Sequence, residues 1–222
     1  AILGAIILVA VGKLIDLSYP KRLWKNNRNE FYILVFTFFV TLFIGITEGI
    51  MLGVFVALLY MIYQNTQPHI AVLGRIKDTH YFKNIDRFTK DVVTYPQVLI
   101  LRFDGQLFFG NQRYFKQQFS ALITTQEQPL KHLVIAAAPI SYIDATAFEM
   151  LSSWMEELNA QGITIHWTGL NGPLRDRFHK KGVFGPLNKT SIYSSLDAAL
   201  NAIQGSAPSE IEKSIASQRN KI

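Results

Sequence analysis

The sequence predicts a membrane α-helical segment, the end of a multi-span protein, followed by an α/β domain with a central mixed, mostly parallel sheet and flanking helices. Three observations carry this expectation. Residues Ala1 to Gln64 are dominated by Ile, Leu, Val, Phe and Ala, with charges gathered almost entirely in one block. Within them, Phe31 to Tyr63 runs for 33 residues with a single charge, Glu48. From Gln67 onward polar and charged residues spread evenly, and compact apolar runs of strand length alternate with helical stripes.

Composition narrows the function classes. Cysteine is absent, so there is no disulfide framework, thiolate nucleophile or Cys-based zinc site. The formal net charge of +6 divides into 5 basic against 3 acidic residues up to Thr66, and 17 against 13 beyond it. Neither part has the dense basic stripe of a nucleic-acid binder, so no nucleic-acid partner is expected. The surplus fits the cytoplasmic side of a membrane protein. The histidines His69, His80, His132, His166 and His179 lack the i, i+4 spacing of a metal pair. No G-x-S-x-G or glycine-rich phosphate loop occurs. No catalytic residue, metal or cofactor is therefore expected, and the protein is not expected to be an enzyme.

Ala1 to Val11 is continuously apolar and closes at Lys13, Asp16 and Pro20. It is shorter than the roughly 20 residues that cross a hydrocarbon core of about 30 Å. Its basic residues follow it, the reverse of a signal peptide. It reads as the tail of a helix that begins before Ala1. Ser18 to Glu30 is polar, holds Lys21, Arg22, Lys25 and Arg28 with Trp24 among them, and reads as a basic loop at the cytoplasmic interface.

As one straight helix Phe31 to Tyr63 would reach about 50 Å, well beyond the bilayer core. Gly45-Ile46-Thr47-Glu48-Gly49 predicts the break, giving two helices of about 16 residues in a tight or re-entrant hairpin. Either arrangement returns the chain to the side of the basic loop. Gly45, Gly49 and Gly53 stand four apart, which lets a second helix approach closely in lipid; the alternative reading gives Gly45 and Gly49 to the turn itself. Glu48 has two readings. It is a functional ionisable group within the apolar segment, or with Thr47 it opens the second helix, where carboxylates meet free N–H groups.

Pro68 ends the helix and pushes Gln67 to an extended conformation. His69 to Ile76 suits a first strand. Val98 to Phe103 is a compact strand bounded by Pro96 and by the Asp104-Gly105 turn, and Gln106 to Phe109 reads as a short return strand. Asn111 to Thr125 carries a helical stripe of Tyr114, Phe115, Phe119, Leu122 and Ile123. Leu133 to Ala138 and Ile163 to Trp167 read as buried strands. Ala145 to Leu158, Pro173 to Lys181 and Ser194 to Ile203 read as helices. This alternation implies a mostly parallel sheet. The tail from Gly205 is polar and expected to be poorly ordered.

The loop Ala138 to Thr146 joins a central strand to a helix, where α/β sheets place functional groups. Thr146-Ala147-Phe148-Glu149 has the pattern of a capping box, and Asp144 is a second candidate cap. The Thr146 hydroxyl also stands where a phosphate would meet free helix N–H groups.

At this point the residues resemble a known family. Asp104-Gly105-Gln106-Leu107-Phe108-Phe109-Gly110-Asn111, a helix, and then Ile143-Asp144-Ala145-Thr146 are similar to the STAS domain, the fold shared by sulfate transporters and anti-sigma-factor antagonists. Gly12-Lys13-Leu14-Ile15-Asp16 and Gly45 to Gly53 look like the ends of the last membrane segments of the SulP (SLC26-type) anion transporters. The resemblance implies the C-terminal portion of a secondary carrier of sulfate, bicarbonate or dicarboxylate-like anions. Residues 1–66 would be the last transmembrane helices, 67–204 a cytoplasmic STAS domain, and 205–222 a tail.

The implied setting is a multi-pass inner-membrane protein with the STAS domain in the cytoplasm. The implied partners are membrane lipids, the rest of the transporter upstream of Ala1, a second copy in a homodimer, and a cytoplasmic protein at the STAS domain. The implied regulatory loop is Asp144, Ala145 and Thr146, with Ala145 where serine is common in the family and Thr146 matching the phosphorylated hydroxyl of the antagonists. The competing expectation is a membrane-anchored STAS signalling module, a phospho-switch without transport.

Overall fold

The computed structural model describes residues 16–77, 79–88, 92–180 and 190–205. It divides into two compact units between Gln64 and Asn65. The apolar run Ala1 to Val11, residues 12–15, the helix end expected at Lys181, and the tail after Gly205 lie outside the described residues.

The first unit contains α1 (Ser18–Asn26), α2 (Arg28–Phe43) and α3 (Ile46–Thr66). The stretch expected as a basic loop is thus mostly helical. Its start is set by the Asp16 carboxylate, which accepts from the Ser18 N–H at 2.8 Å and from the Ser18 hydroxyl at 2.5 Å. Pro20 falls in the first turn, where a missing N–H costs no hydrogen bond. Asn27 then turns extended (φ −149°, ψ 92°) and caps α2, its Oδ1 accepting from the Glu30 N–H and its Nδ2 donating to Glu30 Oε1 at 2.7 Å. Trp24 packs edge-on against Phe31 with ring centroids 5.0 Å apart, and the Arg28 guanidinium lies over its ring. Aromatic packing and a cap made a helix of residues whose charge suggested a loop.

Helices α2 and α3 are apolar around their whole circumference, as suits lipid or a protein interior. Among the described residues α3 alone is long and apolar enough to cross a membrane. The break falls at Ile44-Gly45, where Gly45 takes φ 153°, open to glycine and rarely to other residues. The two helices then meet at Gly49 and Gly53, both buried. A Cβ on Gly49 would stand 2.7 Å from the Thr41 Cα, and one on Gly53 2.6 Å from Thr37 Cγ2. The Thr37 and Thr41 hydroxyls donate to the Ile33 and Thr37 carbonyls, each at 2.8 Å, so these polar groups need no water.

The second unit is built on a seven-stranded sheet in the order β2-β1-β4-β5-β6-β7, with β3 paired to the end of β1. The strands are β1 (Ile70–Ile76), β2 (Phe82–Asn84), β3 (Val92–Val93), β4 (Val98–Phe103), β5 (His132–Ala136), β6 (Thr164–Thr168) and β7 (Thr190–Tyr193). β1 runs antiparallel to β2, β3 and β4, and β4 to β7 are parallel. The crossovers are α4 (Gln112–Thr124), α5 (Ala145–Ala160) and α6 (Gly172–Lys180), and α7 (Leu196–Ile203) follows β7.

Period-two alternation sorts the strand side chains into two cores. Leu99, Leu101, Phe103, Leu133, Ile135, Ile165 and Trp167 join α4, α5 and α6 on one face. Ile100, Val134 and Ala136 join Ala71, Leu73 and α7 on the other. Phe115 and Phe119 stack at 4.0 Å, with Phe103 and Trp154 edge-on to them. Trp154 Nε1 donates to Ser120 Oγ at 3.2 Å, tying α5 to α4.

The expected return strand Gln106 to Phe109 does not form. Leu107 makes one isolated parallel bridge to Ile143, and the segment otherwise closes through side chains. β2, β3 and β7 were not anticipated, being short and, in β2, carrying the charge of Lys83.

Candidate functional site

The C-terminal ends of the parallel strands converge on one rim of the sheet, where α/β folds present functional groups. Asp104 to Asn111 follows β4, Ala137 to Asp144 follows β5, and Asn171 opens α6 after β6.

Asp144 sits at the centre. Its backbone is extended (φ −77°, ψ 179°), and Oδ1 accepts from the Ala147 N–H at 2.7 Å as the cap of α5. Its Oδ2 accepts from the Phe109 N–H, also at 2.7 Å. The expected Thr146–Glu149 capping box is therefore replaced by an aspartate cap. Thr146 is the second residue of α5, and both it and Glu149 are exposed. The reason is geometric: a cap must keep a non-helical backbone, and the chain leaves the helix at Asp144. Ala145 and Thr146 occupy the first turn with their side chains in solvent.

Four further hydrogen bonds hold the loop. The Leu107 N–H donates to the Tyr142 carbonyl at 3.0 Å, and the Asp144 N–H to the Leu107 carbonyl at 3.1 Å. Asn171 Nδ2 donates to the Ser141 carbonyl at 3.0 Å while its Oδ1 caps the Leu174 N–H. Arg177 Nη1 donates to the Ile143 carbonyl, and its guanidinium lies 4.8 Å from the centre of the Phe148 ring. Phe109 and Tyr142 stand exposed beside Asp144 at 69% and 53%, an aromatic rim around the α5 N-terminus.

Asn111 is the residue that sequence reasoning passed over. It precedes α4 in the place of a cap, yet its side chain makes no cap bond and is fully buried. It reaches back into the loop instead, donating to the Gln106 carbonyl at 2.7 Å and the Asn65 carbonyl at 3.1 Å and accepting from the Phe108 N–H at 2.9 Å. A Gly-Asn pair ahead of a helix was the available signal, and it pointed to a cap.

At the mouth of the β4 turn, Arg102 forks onto Asp104 at 2.6 and 2.9 Å and His69 Nδ1 meets it at 3.1 Å. Partial burial works to raise the Asp104 carboxyl, but the hydrogen bonds from Arg102 and His69 outweigh it and hold the group below its ordinary range. On the sheet face that α7 covers, His132 Nδ1 and His166 Nε2 stand 3.1 Å apart. Burial, with the nearby His132 charge, pushes His166 down to about 4. Burial also lowers His132, helped by Lys131. Among the described residues no group of three metal-ligating side chains forms.

In the first unit Glu48 lies in the opening turn of α3 and is exposed, close to Gly45. Gly45 makes the turn, and Gly49 and Gly53 face α2. The three glycines and Glu48 are thus gathered at one end of a helical hairpin.

A family model for the STAS domain matches residues 89–199, half of the chain. The chain is 27% identical over 225 residues to the probable sulfate transporter 4.2 of Arabidopsis thaliana, covering 96% of this chain and 33% of that protein. It is 29% identical over 172 residues to the high affinity sulfate transporter 2 of Stylosanthes hamata, covering 72% of this chain and 26% of that one. It therefore spans about a third or less of the relatives it matches. Its fold is similar to that of murine Solute Carrier 26 family member A9, an anion transporter solved in the inward-facing state, with a TM-score of 0.79 over 91% of this chain and 33% of that one at 22% identity. The matched residues hold the parallel strands β4 to β7 and the aspartate-capped α5 between them, and the relatives named as sulfate transporters match beyond that unit: the chain belongs to the STAS domain family and is similar over most of its length to sulfate transporters.

Proposed function

We propose that this chain is the C-terminal portion of a secondary anion transporter of the sulfate, bicarbonate or dicarboxylate class. Residues 1–66 supply the last membrane helices, 67–204 a cytoplasmic STAS domain that regulates transport or binds a partner, and 205–222 a polar tail. The observation that supports this most is continuity: one match to a relative named as a sulfate transporter runs through the apolar hairpin and the α/β unit alike, over 96% of the chain. A membrane-anchored signalling module would need an apolar hairpin too, but not a match to sulfate transporters that runs through that hairpin. No enzymatic step belongs to this reading.

The regulatory contact is assigned to Asp144, Ala145 and Thr146. Asp144 is consumed as a cap, Ala145 and Thr146 are presented to solvent, and Phe109 and Tyr142 frame them with apolar surface of the kind protein interfaces use. In the membrane part, Gly49 and Gly53 serve helix packing and Glu48 serves the start of α3 rather than a proton relay. Lipids, the upstream membrane segments and a second copy are the partners this reading expects, in the inner membrane.

The test is uptake of labelled sulfate, bicarbonate and succinate by the complete protein in proteoliposomes. Saturable uptake of one of them is expected, and no uptake of any would sink the reading. Thr146→Glu should change the uptake rate or partner binding with the unfolding midpoint retained; unchanged uptake and binding would remove the loop as a switch. Glu48→Gln should leave uptake intact.

A further inference from the structure

We propose that Asn111 is a positioning residue that couples the backbone at Asn65 to the N-terminus of α5. The second unit begins at Asn65, and the carbonyl of that residue is one of two that the buried Asn111 amide holds. The same amide takes the Phe108 N–H on its oxygen. The next N–H along, that of Phe109, is held by Asp144 Oδ2, and Asp144 Oδ1 holds Ala147. The path Asn65, Asn111, Phe108–Phe109, Asp144, Ala147 is thus closed at each step by hydrogen bonds of 2.7 to 3.1 Å. Thr146 lies inside its last link.

Residue chemistry limits what else serves here. Two donors and one acceptor on a short planar group are needed; aspartate lacks the donors, and leucine would leave two carbonyls and an N–H unpaired in a buried place. The Phe108–Phe109 segment has no ladder to fix it, since it makes a single bridge through Leu107. Its Phe108 carbonyl accepts from the Asn111 and Gln112 N–H groups at 3.0 Å, and its two N–H groups are held by the Asn111 amide on one side and the Asp144 carboxylate on the other. A shift of the Asn65 carbonyl moves Asn111, releases Phe108 and withdraws Phe109 from Asp144, which loosens the cap beside Thr146. Linkage of this kind is reciprocal.

The coupling concerns the loop assigned above as the contact site, but its test does not depend on transport. Residue-resolved amide hydrogen exchange on the complete protein in detergent reads it. Asn111→Ala should speed exchange at Ala147, which Asn111 does not touch, by about tenfold. Asp144→Asn, which leaves Asn111 intact, should speed exchange at Phe108 to a similar degree. Core amides of Val134 and Ile165 should hold their wild-type rates in both. A rise confined to each variant's own neighbours overturns the coupling, and so does a rise shared by Val134 and Ile165. If Asn111→Ala does not fold, the milder Asp144→Asn decides alone: wild-type exchange at Phe108 overturns the proposal. Failure here leaves the regulatory reading standing, because Thr146→Glu is read by uptake.

Discussion

Asp144 and Phe109, 35 positions apart, are joined by a 2.7 Å hydrogen bond from the Phe109 N–H to the Asp144 carboxylate, whose other oxygen caps α5 at Ala147. One side chain therefore stitches the loop after β4 to the helix after β5. The bond is charge-assisted and lies at the exposed rim of the sheet.

Replacing Asp144 by Ala removes a helix cap and strands the Phe109 N–H. The two losses together should lower stability by about 1–3 kcal/mol, since water can reach the exposed Phe109 N–H. Denaturant unfolding followed by the near-ultraviolet signal of Trp154 and Trp167 would record it. Asp144→Asn should cost less, because one amide oxygen can still cap Ala147. Equal losses in the two variants would contradict the double role.

The glycine contacts predict an asymmetry between two substitutions of the same kind. At Gly53 an added methyl meets the Thr37 side chain, whereas at Gly49 it meets the Thr41 backbone as well. Thr37→Ala should therefore restore much of the thermal stability that Gly53→Ala loses in detergent. Thr41→Ala should rescue Gly49→Ala poorly. Equal rescue at both sites would show that α2 and α3 separate rather than resist.

Gln97 carries φ 63° in a turn whose second residue is Pro96, and its carbonyl accepts from the Lys131 and His132 N–H groups at 3.0 Å each. Left-handed backbone is costly for a residue with a Cβ, and glycine relieves it at the expense of unfolded-state entropy. Gln97→Gly should stabilise the domain by about 0.5–1 kcal/mol. A raised unfolding midpoint with both backbone bonds retained is the outcome to look for.

The histidine pair sets an acid limit. His166 titrates near 4 in the folded chain, with His132 and Tyr193 facing it and Lys131 nearby. The ordinary value is about 6.5, so below that pH the unfolded chain binds the proton first and stability falls. The fall continues until the pH reaches about 4, where the folded form also protonates. It amounts to on the order of 3 kcal/mol at most. His166→Gln should flatten the pH dependence of stability between pH 4 and 6.5, as measured by urea titration across that window.

Much of the architecture was written in local pattern. Val98 to Phe103 is a strand from end to end because six residues bounded by Pro96 and Asp104-Gly105 leave no other reading. The break at Gly45 was legible because one helix could not be that long and no other residue there tolerates the turn. The aspartate-to-threonine loop was legible as a strand-to-helix junction. Two things were not. The charges of α1 read as a loop, whereas the packing of Trp24 on Phe31 that accompanies its helix leaves no mark in local sequence. The apolar Gln106 to Phe109 segment follows the Asp104-Gly105 turn as a return strand would, yet Asn111 and Asp144 took the hydrogen bonds a ladder would have made.

The sequence by itself determined the element types and the division between an all-apolar hairpin and an α/β unit, since periodicity and composition act over a few residues. It also determined that Asp144 and Thr146 open a helix. Only the tertiary structure decided the strand order, the partners of Gly49 and Gly53, and which of the two residues caps α5. Those depend on contacts between residues dozens of positions apart, Phe109 with Asp144 and Asn65 with Asn111, whose free energy no local window of sequence contains.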